Sequence, residues 1–87
     1  MALPIHRQIE ARAASRPDAR AVVLGDEALT YAQLNERANR LAHHLVARGV
    51  GPDVIVGVHM DRSLELVVAM LAVMKAGGAY LPLDPNY

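Results

Sequence analysis

Residues 71–85 have the sequence LAVMKAGGAYLPLDP, and this stretch decides the fold of the 87-residue chain. It combines the end of an apolar helix, a turn at Gly77-Gly78 and a short apolar strand over Ala79–Leu83. Gly77 suits the position after a helix, because glycine adopts the left-handed backbone conformation without steric cost. Lys75 lies in the last helical turn, where a cation complements the helix dipole. The stretch therefore predicts a helix that ends abruptly and leads directly into a buried strand.

The sequence before this stretch supplies a second strand and completes a βαβ unit. Val54–Met60 is a nearly continuous run of apolar, mostly β-branched residues, which is typical of a strand buried on both faces. The helix predicted over Leu64–Ala76 is apolar around most of its circumference, so we expect it to be covered on several sides. Asp61 and Ser63 are both candidates for its N-cap. Strand, helix and strand predict a right-handed crossover with parallel strands.

Thr30–Arg48 carries the clearest helix signals in the chain. Thr30 and Gln33 have the spacing of a capping box, in which each side chain bonds the backbone N–H of the other residue. The apolar face of this helix comprises Leu34, Ala38, Leu41, Ala42 and Leu45. Gly49 fits the left-handed residue that follows a helix. The pattern therefore predicts a long amphipathic helix with defined ends.

The first residues predict a helix followed by a β-hairpin. The helix is expected over Pro4–Ser15, with Pro4 at its first position. Its apolar residues form one narrow stripe, which comprises Ile5, Ile9 and Ala13. Two short strands, Arg20–Leu24 and Glu27–Leu29, flank Gly25-Asp26. A Gly-Asp pair between short apolar strands favours a two-residue hairpin turn.

Composition excludes several classes of function. Nine Lys and Arg residues balance nine Asp and Glu residues without a basic run, so no nucleic-acid partner and no anionic membrane surface is indicated. The absence of cysteine excludes disulfides and thiolate zinc sites and is compatible with a cytoplasmic setting. The longest apolar run, Leu66–Met74, is too short to span a bilayer. The first residues, MALPIH, lack the features of a signal peptide.

Three groups of residues resemble functional sites, and each has a simpler structural interpretation. His43 and His44 are neighbours on a helix and point about 100° apart, which favours separate packing over a shared metal ion. His59 and Asp61 share a strand face, but no nucleophile is placed to complete a catalytic set. Gly77-Gly78 follows a helix, so it lacks the positive helix end that favours a phosphate.

The remaining candidates also have structural explanations. The helix dipole accounts for Lys75. Ordinary core packing accounts for the methionines, which are Met60, Met70 and Met74. Tyr80 and Tyr87 are suited equally to packing and to hydrogen bonding. We therefore predict no catalytic residue, no cofactor-binding residue and no metal ligand in this chain.

Two stretches together resemble the adenylation domains of nonribosomal peptide synthetases, which belong to the adenylate-forming AMP-dependent synthetase/ligase superfamily. Leu29–Asn35, LTYAQLN, is similar to the first core motif L-T-Y-x-E-L, with Gln33 in place of the usual Glu. Leu71–Pro85 is similar to the second core motif L-K-A-G-x-A-Y-V/L-P-L/I-D, with Met74 where Leu is usual. The motifs have the family's order and separation, and the resemblance covers nearly the whole chain. The AYLPLDP ending favours the amino-acid-activating branch over acyl-CoA ligases and luciferases.

The resemblance implies that residues 1–87 are a partial adenylation (AMP-binding) domain, its N-terminal portion. The implied fold is the α/β class of the large subdomain, with a short β-hairpin, a parallel βαβ unit and an incomplete sheet. The implied activity of the complete domain is formation of an aminoacyl-adenylate from an amino acid and MgATP, for secondary metabolite biosynthesis. The acyl group then passes to the phosphopantetheine thiol of a carrier protein, so the implied partners are that carrier and the remainder of the synthetase.

The family's chemistry comes from segments without a counterpart in these 87 residues: a Gly/Ser/Thr/Lys-rich phosphate loop, the substrate pocket, a ribose-binding Asp and a late Lys. We therefore expect a fragment that is inactive alone. The alternative is a small non-catalytic interaction or complementation module, which pairs with a partner or self-associates through uncovered strands. A truncated gene, a partial reading frame and a split protein all remain open, and the amino-acid substrate is not identified.

Overall fold

The computed structural model describes residues 4–60 and 62–83. Within them the order of elements is α1 (Ile5–Ser15), β1 (Arg20–Leu24), β2 (Glu27–Thr30), α2 (Tyr31–Ala47), β3 (Ile55–Val58), α3 (Leu64–Lys75) and β4 (Ala79–Pro82). β1 pairs antiparallel with β2, and β3 pairs in parallel with β4 across α3. The predicted α/β class, with a hairpin and a parallel βαβ unit, is confirmed.

The hairpin forms at the predicted Gly-Asp pair. Leu24 is paired with Glu27 across the turn, which leaves Gly25 and Asp26 as the two loop residues. Gly25 has a φ of 60°, and glycine at the first loop position with positive φ is the pattern of a type II′ turn. The second strand runs one residue further than predicted and ends at Thr30. The hairpin therefore delivers the chain directly to the start of α2.

α2 begins at the predicted capping box. The N–H of Gln33 donates to Thr30 Oγ1 at 3.1 Å, and the N–H of Thr30 donates to Gln33 Oε1 at 2.9 Å. The N–H groups of Tyr31 and Ala32 donate to carbonyls of the loop that follows α1. The first N–H groups of a helix have no partner inside the helix. The start of α2 is thus bonded both to its own cap and to the preceding loop.

α3 ends in a Schellman motif that leads into β4. The N–H of Gly77 donates to the carbonyl of Met74, and the N–H of Gly78 donates to that of Val73, both at 3.1 Å. Gly77 has a φ of 90°, the left-handed conformation that this motif requires. The same pair of bonds closes α2 at Gly49, whose φ is 97°. The predicted helix stops at both glycines are confirmed.

α3 is the centre of the core. Ser63 caps it, because its Oγ accepts the N–H of Leu66 at 3.1 Å, while Asp61 lies outside the described residues. The buried residues of α3 are Leu64, Val68, Leu71, Ala72 and Val73. All of them except Val73 pack with a buried set from β2 and α2, which comprises Leu29, Leu34, Ala38 and Ala42. The expected cover on several sides of α3 is confirmed. No helix in residues 4–60 and 62–83 has the length and apolar character to cross a bilayer.

The prediction that the strands of the βαβ unit are buried on both faces is wrong for the described residues. The register places Ile55 beside Ala79 and Gly57 beside Leu81, and all four are exposed on one face of the sheet. Ile55 is 70% exposed and Leu81 is 52% exposed. The alternate residues, such as Val58, face α3 and are more buried. One face is open because no element in the described ranges lies against it.

α1 is the least buried helix. All of its residues are described, and none is buried. Pro4 is the N-cap and not the first helical residue as predicted, with a ψ of 154°. Proline fits there because its φ of −56° is close to the value that its ring fixes. Its carbonyl accepts the N–H groups of Arg7 and Gln8, both at 3.0 Å. In the predicted stripe, Ile9 packs against the core, whereas Ile5 is 60% exposed.

Candidate functional site

A polar cleft lies where α1 meets α2 and the end of α3. The polar residues that line it are His6, Arg7, Glu10, Asn39, His43 and Lys75. Its volume is about 170 Å³. Ligand pockets usually enclose about 300–1,000 Å³. The cleft therefore has room for water or a small ion and is too small for a nucleotide.

An ion pair between two helices forms the wall of this cleft. Glu10 Oε2 lies 3.3 Å from Lys75 Nζ, and Glu10 Oε1 lies 3.3 Å from Arg7 Nη1. The Lys75 side chain is 5% exposed and the Glu10 side chain is 33% exposed. Removal of an ammonium group from water is costly, and a nearby carboxylate offsets part of that cost. Glu10 therefore holds a buried cation against α1.

This pair corrects the sequence-based interpretation of Lys75. A lysine that only complements a helix dipole can extend its ammonium group into solvent, where its hydration is retained. Lys75 is buried against α1 and pairs with Glu10. The dipole of α3 still favours a cation at this position, but it does not account for the burial. The sequence carries no signal for the pairing, because the two residues are far apart in the chain.

The histidine pair and the proposed His–Asp pair form no cluster in the described part of the chain. His43 lines the cleft, and both His43 and His44 are exposed. His59 is exposed, and its proposed partner Asp61 lies outside the described residues. Over residues 4–60 and 62–83, no group of three or more His, Cys, Asp or Glu residues could hold a metal ion.

The Gly77-Gly78 turn does not fit a phosphate group. Both of its N–H groups already donate to carbonyls of α3, at 3.1 Å each. The turn also lies at the C-terminal end of a helix, where the dipole is negative and repels anions. The Gly77-Gly78 turn therefore serves as a helix end, and no step of nucleotide chemistry is assigned to it.

The remaining candidates divide between core and surface. The prediction of core packing is confirmed for Met74, which packs against the buried cluster. It is wrong for Met60, which is 37% exposed where β3 ends. Tyr80 is half-buried on the inner face of β4, and Tyr87 lies outside the described residues.

Comparison with known proteins identifies the family. Residues 9–87 match the family model described as AMP-binding enzyme. The chain belongs to the AMP-binding enzyme family. The matched range begins within α1 and contains the hairpin, α2 and the βαβ unit. Nearly all of the fold described above is therefore the fold of this family.

The relatives of this AMP-binding chain include large peptide synthetases. It is 62% identical over 86 residues to chondramide synthase cmdD of Chondromyces crocatus. It is 59% identical over 80 residues to the dimodular nonribosomal peptide synthase of Bacillus subtilis (strain 168). These matches cover 95% and 92% of this chain, but 2% and 3% of the relatives. The chain thus spans a small fraction of the curated relatives it matches.

Two solved structures share the fold of this AMP-binding chain. The nonribosomal peptide synthetase FmoA3 with bound α-methyl-L-serine-AMP has a TM-score of 0.92 and 40% identity, over 99% of this chain and 10% of that one. The N-terminal subdomain of Klebsiella oxytoca NpsA has a TM-score of 0.87 and 29% identity, over 95% of this chain and 22% of that one. The predicted resemblance to the N-terminal part of a nonribosomal peptide synthetase adenylation domain is confirmed.

Proposed function

We propose that residues 1–87 form the N-terminal portion of an adenylation domain that activates an amino acid for nonribosomal peptide synthesis. In the complete domain, the amino-acid carboxylate attacks the α-phosphate of ATP, held with Mg²⁺, and pyrophosphate leaves. The aminoacyl group of the adenylate then passes to a carrier-protein phosphopantetheine thiol, with release of AMP, in the cytoplasm. The observation that carries the proposal is the overlay on the nonribosomal peptide synthetase FmoA3 with bound α-methyl-L-serine-AMP, which has a TM-score of 0.92 and 40% identity.

The role of this chain in that domain is that of a scaffold. Its N–H groups at Thr30, Gln33, Gly77 and Gly78 are engaged in helix caps and helix ends. The buried ammonium group of Lys75 pairs with a carboxylate of α1. Groups engaged in this way hold the fold together and are not presented to a ligand. We assign no catalytic residue, no cofactor-binding residue and no metal ligand to the chain, and we propose that it is inactive alone.

Amino-acid-dependent ATP–pyrophosphate exchange tests the proposed inactivity. The pure 87-residue protein is assayed with a panel of amino acids, beside an intact nonribosomal peptide synthetase as the positive control. The expected result is exchange at the background of the protein-free reaction for every amino acid. Exchange that depends on an amino acid and exceeds this background would overturn the proposal.

A chimera tests the scaffold role directly. This sequence replaces the matching stretch in the dimodular nonribosomal peptide synthase, where 80 residues are 59% identical. We expect the chimera to retain exchange with the amino acid that the parent prefers, because a scaffold segment carries no part of the substrate pocket. A changed preference would show that residues of this chain line the pocket. A folded chimera without exchange would show that its contribution exceeds that of a scaffold.

A non-catalytic interaction module is the second candidate, and the open face of β3 and β4 favours it. Ile55, Leu81 and Leu83 are large apolar side chains that are exposed there. Exposed apolar patches of this kind mark surfaces that another polypeptide covers. Sedimentation and melting of the pure chain separate the candidates. A monodisperse monomer with cooperative melting favours the module, whereas aggregation that is relieved by co-expressed downstream sequence from a relative favours the domain fragment.

A further inference from the structure

We infer that α1 is a strap that detaches and docks again as a unit, and that the Glu10–Lys75 ion pair is the latch that holds it closed. The surface on which it docks is the body, defined here as β1, β2, α2, β3, α3 and β4. Three observations support the inference: the low burial of α1, the pinned loop at its C-terminal end and the asymmetry of the ion pair. None of them depends on the proposed function.

Burial divides the chain into a strap and a body. No residue of α1, which lies wholly in the described range, is buried, whereas α2 and α3 both contribute buried residues to one core cluster. Ile9 is the residue of α1 that packs against that cluster. Segments with few buried apolar groups open at a lower free energy than the core does. α1 is therefore expected to open while the body remains folded.

The loop after α1 provides the hinge. The carbonyl of Ala19 accepts the N–H of Tyr31 at 2.9 Å, and the carbonyl of Pro17 accepts the N–H of Ala32 at 3.0 Å. These bonds hold the loop on the first turn of α2. Arg16 lies just before the pinned loop and has a non-helical conformation, with φ −139° and ψ 62°. Rotation at Arg16 moves α1 away without breaking the bonds that follow.

The latch is asymmetric because its two charges differ in environment. Lys75 Nζ is buried, and within residues 4–60 and 62–83 it makes an ion pair with Glu10 but no hydrogen bond of good geometry. Glu10 is one-third exposed and also lies 3.3 Å from Arg7. Loss of the Glu10 charge leaves the buried ammonium group of Lys75 without a counter-ion. Loss of the Lys75 charge leaves the Glu10 carboxylate paired with Arg7 and in contact with water. Loss of the Glu10 charge should therefore release the strap more than loss of the Lys75 charge does.

Native-state hydrogen exchange of the 87-residue chain tests the strap and the latch together. In the unsubstituted protein, amides of α1 should exchange faster than those in the second half of α2. Glu10→Gln should accelerate exchange in α1 by about tenfold or more, which corresponds to about 1.4 kcal/mol. Lys75→Met should accelerate it less. Amides of α1 in the double variant should exchange more slowly than in Glu10→Gln alone, because the double variant leaves no buried charge without a partner.

Glu36→Gln is the matched control. Its partner Arg40 lies 3.6 Å away, and both side chains are 71% exposed, so this surface pair should contribute little. Equal protection of α1 and α2 in the unsubstituted protein would overturn the inference that α1 opens separately from the body. Equal acceleration of both helices in Glu10→Gln, including complete unfolding, would also overturn it, because α1 would then open only with the body. If amides of α1 exchange at least as fast in the double variant as in Glu10→Gln, the ion pair is not the latch that holds α1 closed.

Discussion

Gly78 and Val50 approach so closely that a Cβ atom on Gly78 would lie 2.9 Å from Cγ1 of Val50. The same atom would lie 3.1 Å from the carbonyl oxygen of Val54, which is part of the backbone. The turns that follow α2 and α3 are thus packed directly against each other. The N–H of Ala79 donates to the carbonyl of Val54 at 2.9 Å beside this contact. The close approach of the two turns therefore sets where the parallel pairing of β3 and β4 begins.

Gly78→Ala should reduce the free energy of unfolding by about 1–3 kcal/mol, the usual cost of overpacking a tight site. The reason is that a methyl group would displace a backbone carbonyl as well as the flexible end of Val50. Urea denaturation followed by circular dichroism measures the change. Gly51→Ala is the control, because a Cβ there meets no atom within 4 Å. An unchanged stability of Gly78→Ala would show that the turns separate at little cost.

The capping box of α2 should contribute measurably to stability. Thr30→Ala removes the side-chain oxygen that accepts the Gln33 N–H, and the expected loss is about 1 kcal/mol. Gln33→Glu should keep the box and stabilise the protein by about 0.3–1 kcal/mol, because α2 has no acidic residue in its first turn. Thermal and urea unfolding measure both effects. Thr30→Ser is the control that retains the hydroxyl, and a loss equal to that of Thr30→Ala would contradict the capping role.

Most features that the sequence predicts correctly are local ones. The parallel pairing of β3 with β4 is not local, but it follows from the order strand, helix, strand. The capping box joins Thr30 to Gln33, and the Schellman bonds join Gly78 to Val73, so each involves residues at most five positions apart. The turn at Gly25 depends on the conformational freedom of one residue. Such features are determined by short stretches of sequence, and they place every helix and strand of the described fold within about two residues.

The features that the sequence misses depend on contacts between distant segments. The pairing of Glu10 with Lys75 arises only when α1 packs beside the end of α3, and no spacing rule connects those positions. Exposure of Ile55 follows from which elements lie against the sheet, whereas an apolar run indicates only that a strand favours burial. The polar cleft was not predicted for the same reason, since its walls come from three helices.

His43 and His44 should contribute neither to folding stability nor to metal binding. His43→Ala and His44→Ala are expected to change the free energy of unfolding by less than about 0.5 kcal/mol, as exposed substitutions usually do. Zn²⁺ should not raise the melting temperature of the protein. A site saturated at a hundred times its Kd would add about 2.7 kcal/mol of stability, which a melting curve detects easily. A rise that disappears in His43→Ala would reveal a metal site.

Substitutions on the two faces of the βαβ unit should have unequal costs. Leu71 is 1% exposed in the core, so Leu71→Ala should reduce the free energy of unfolding by about 2–5 kcal/mol. Leu81→Ala is the matched change on the open face, where the side chain is 52% exposed, and it should cost less than about 1 kcal/mol. Urea denaturation at several protein concentrations measures both. A large cost for Leu81→Ala, together with a stability that rises with protein concentration, would show that a second copy of the chain covers this face in solution.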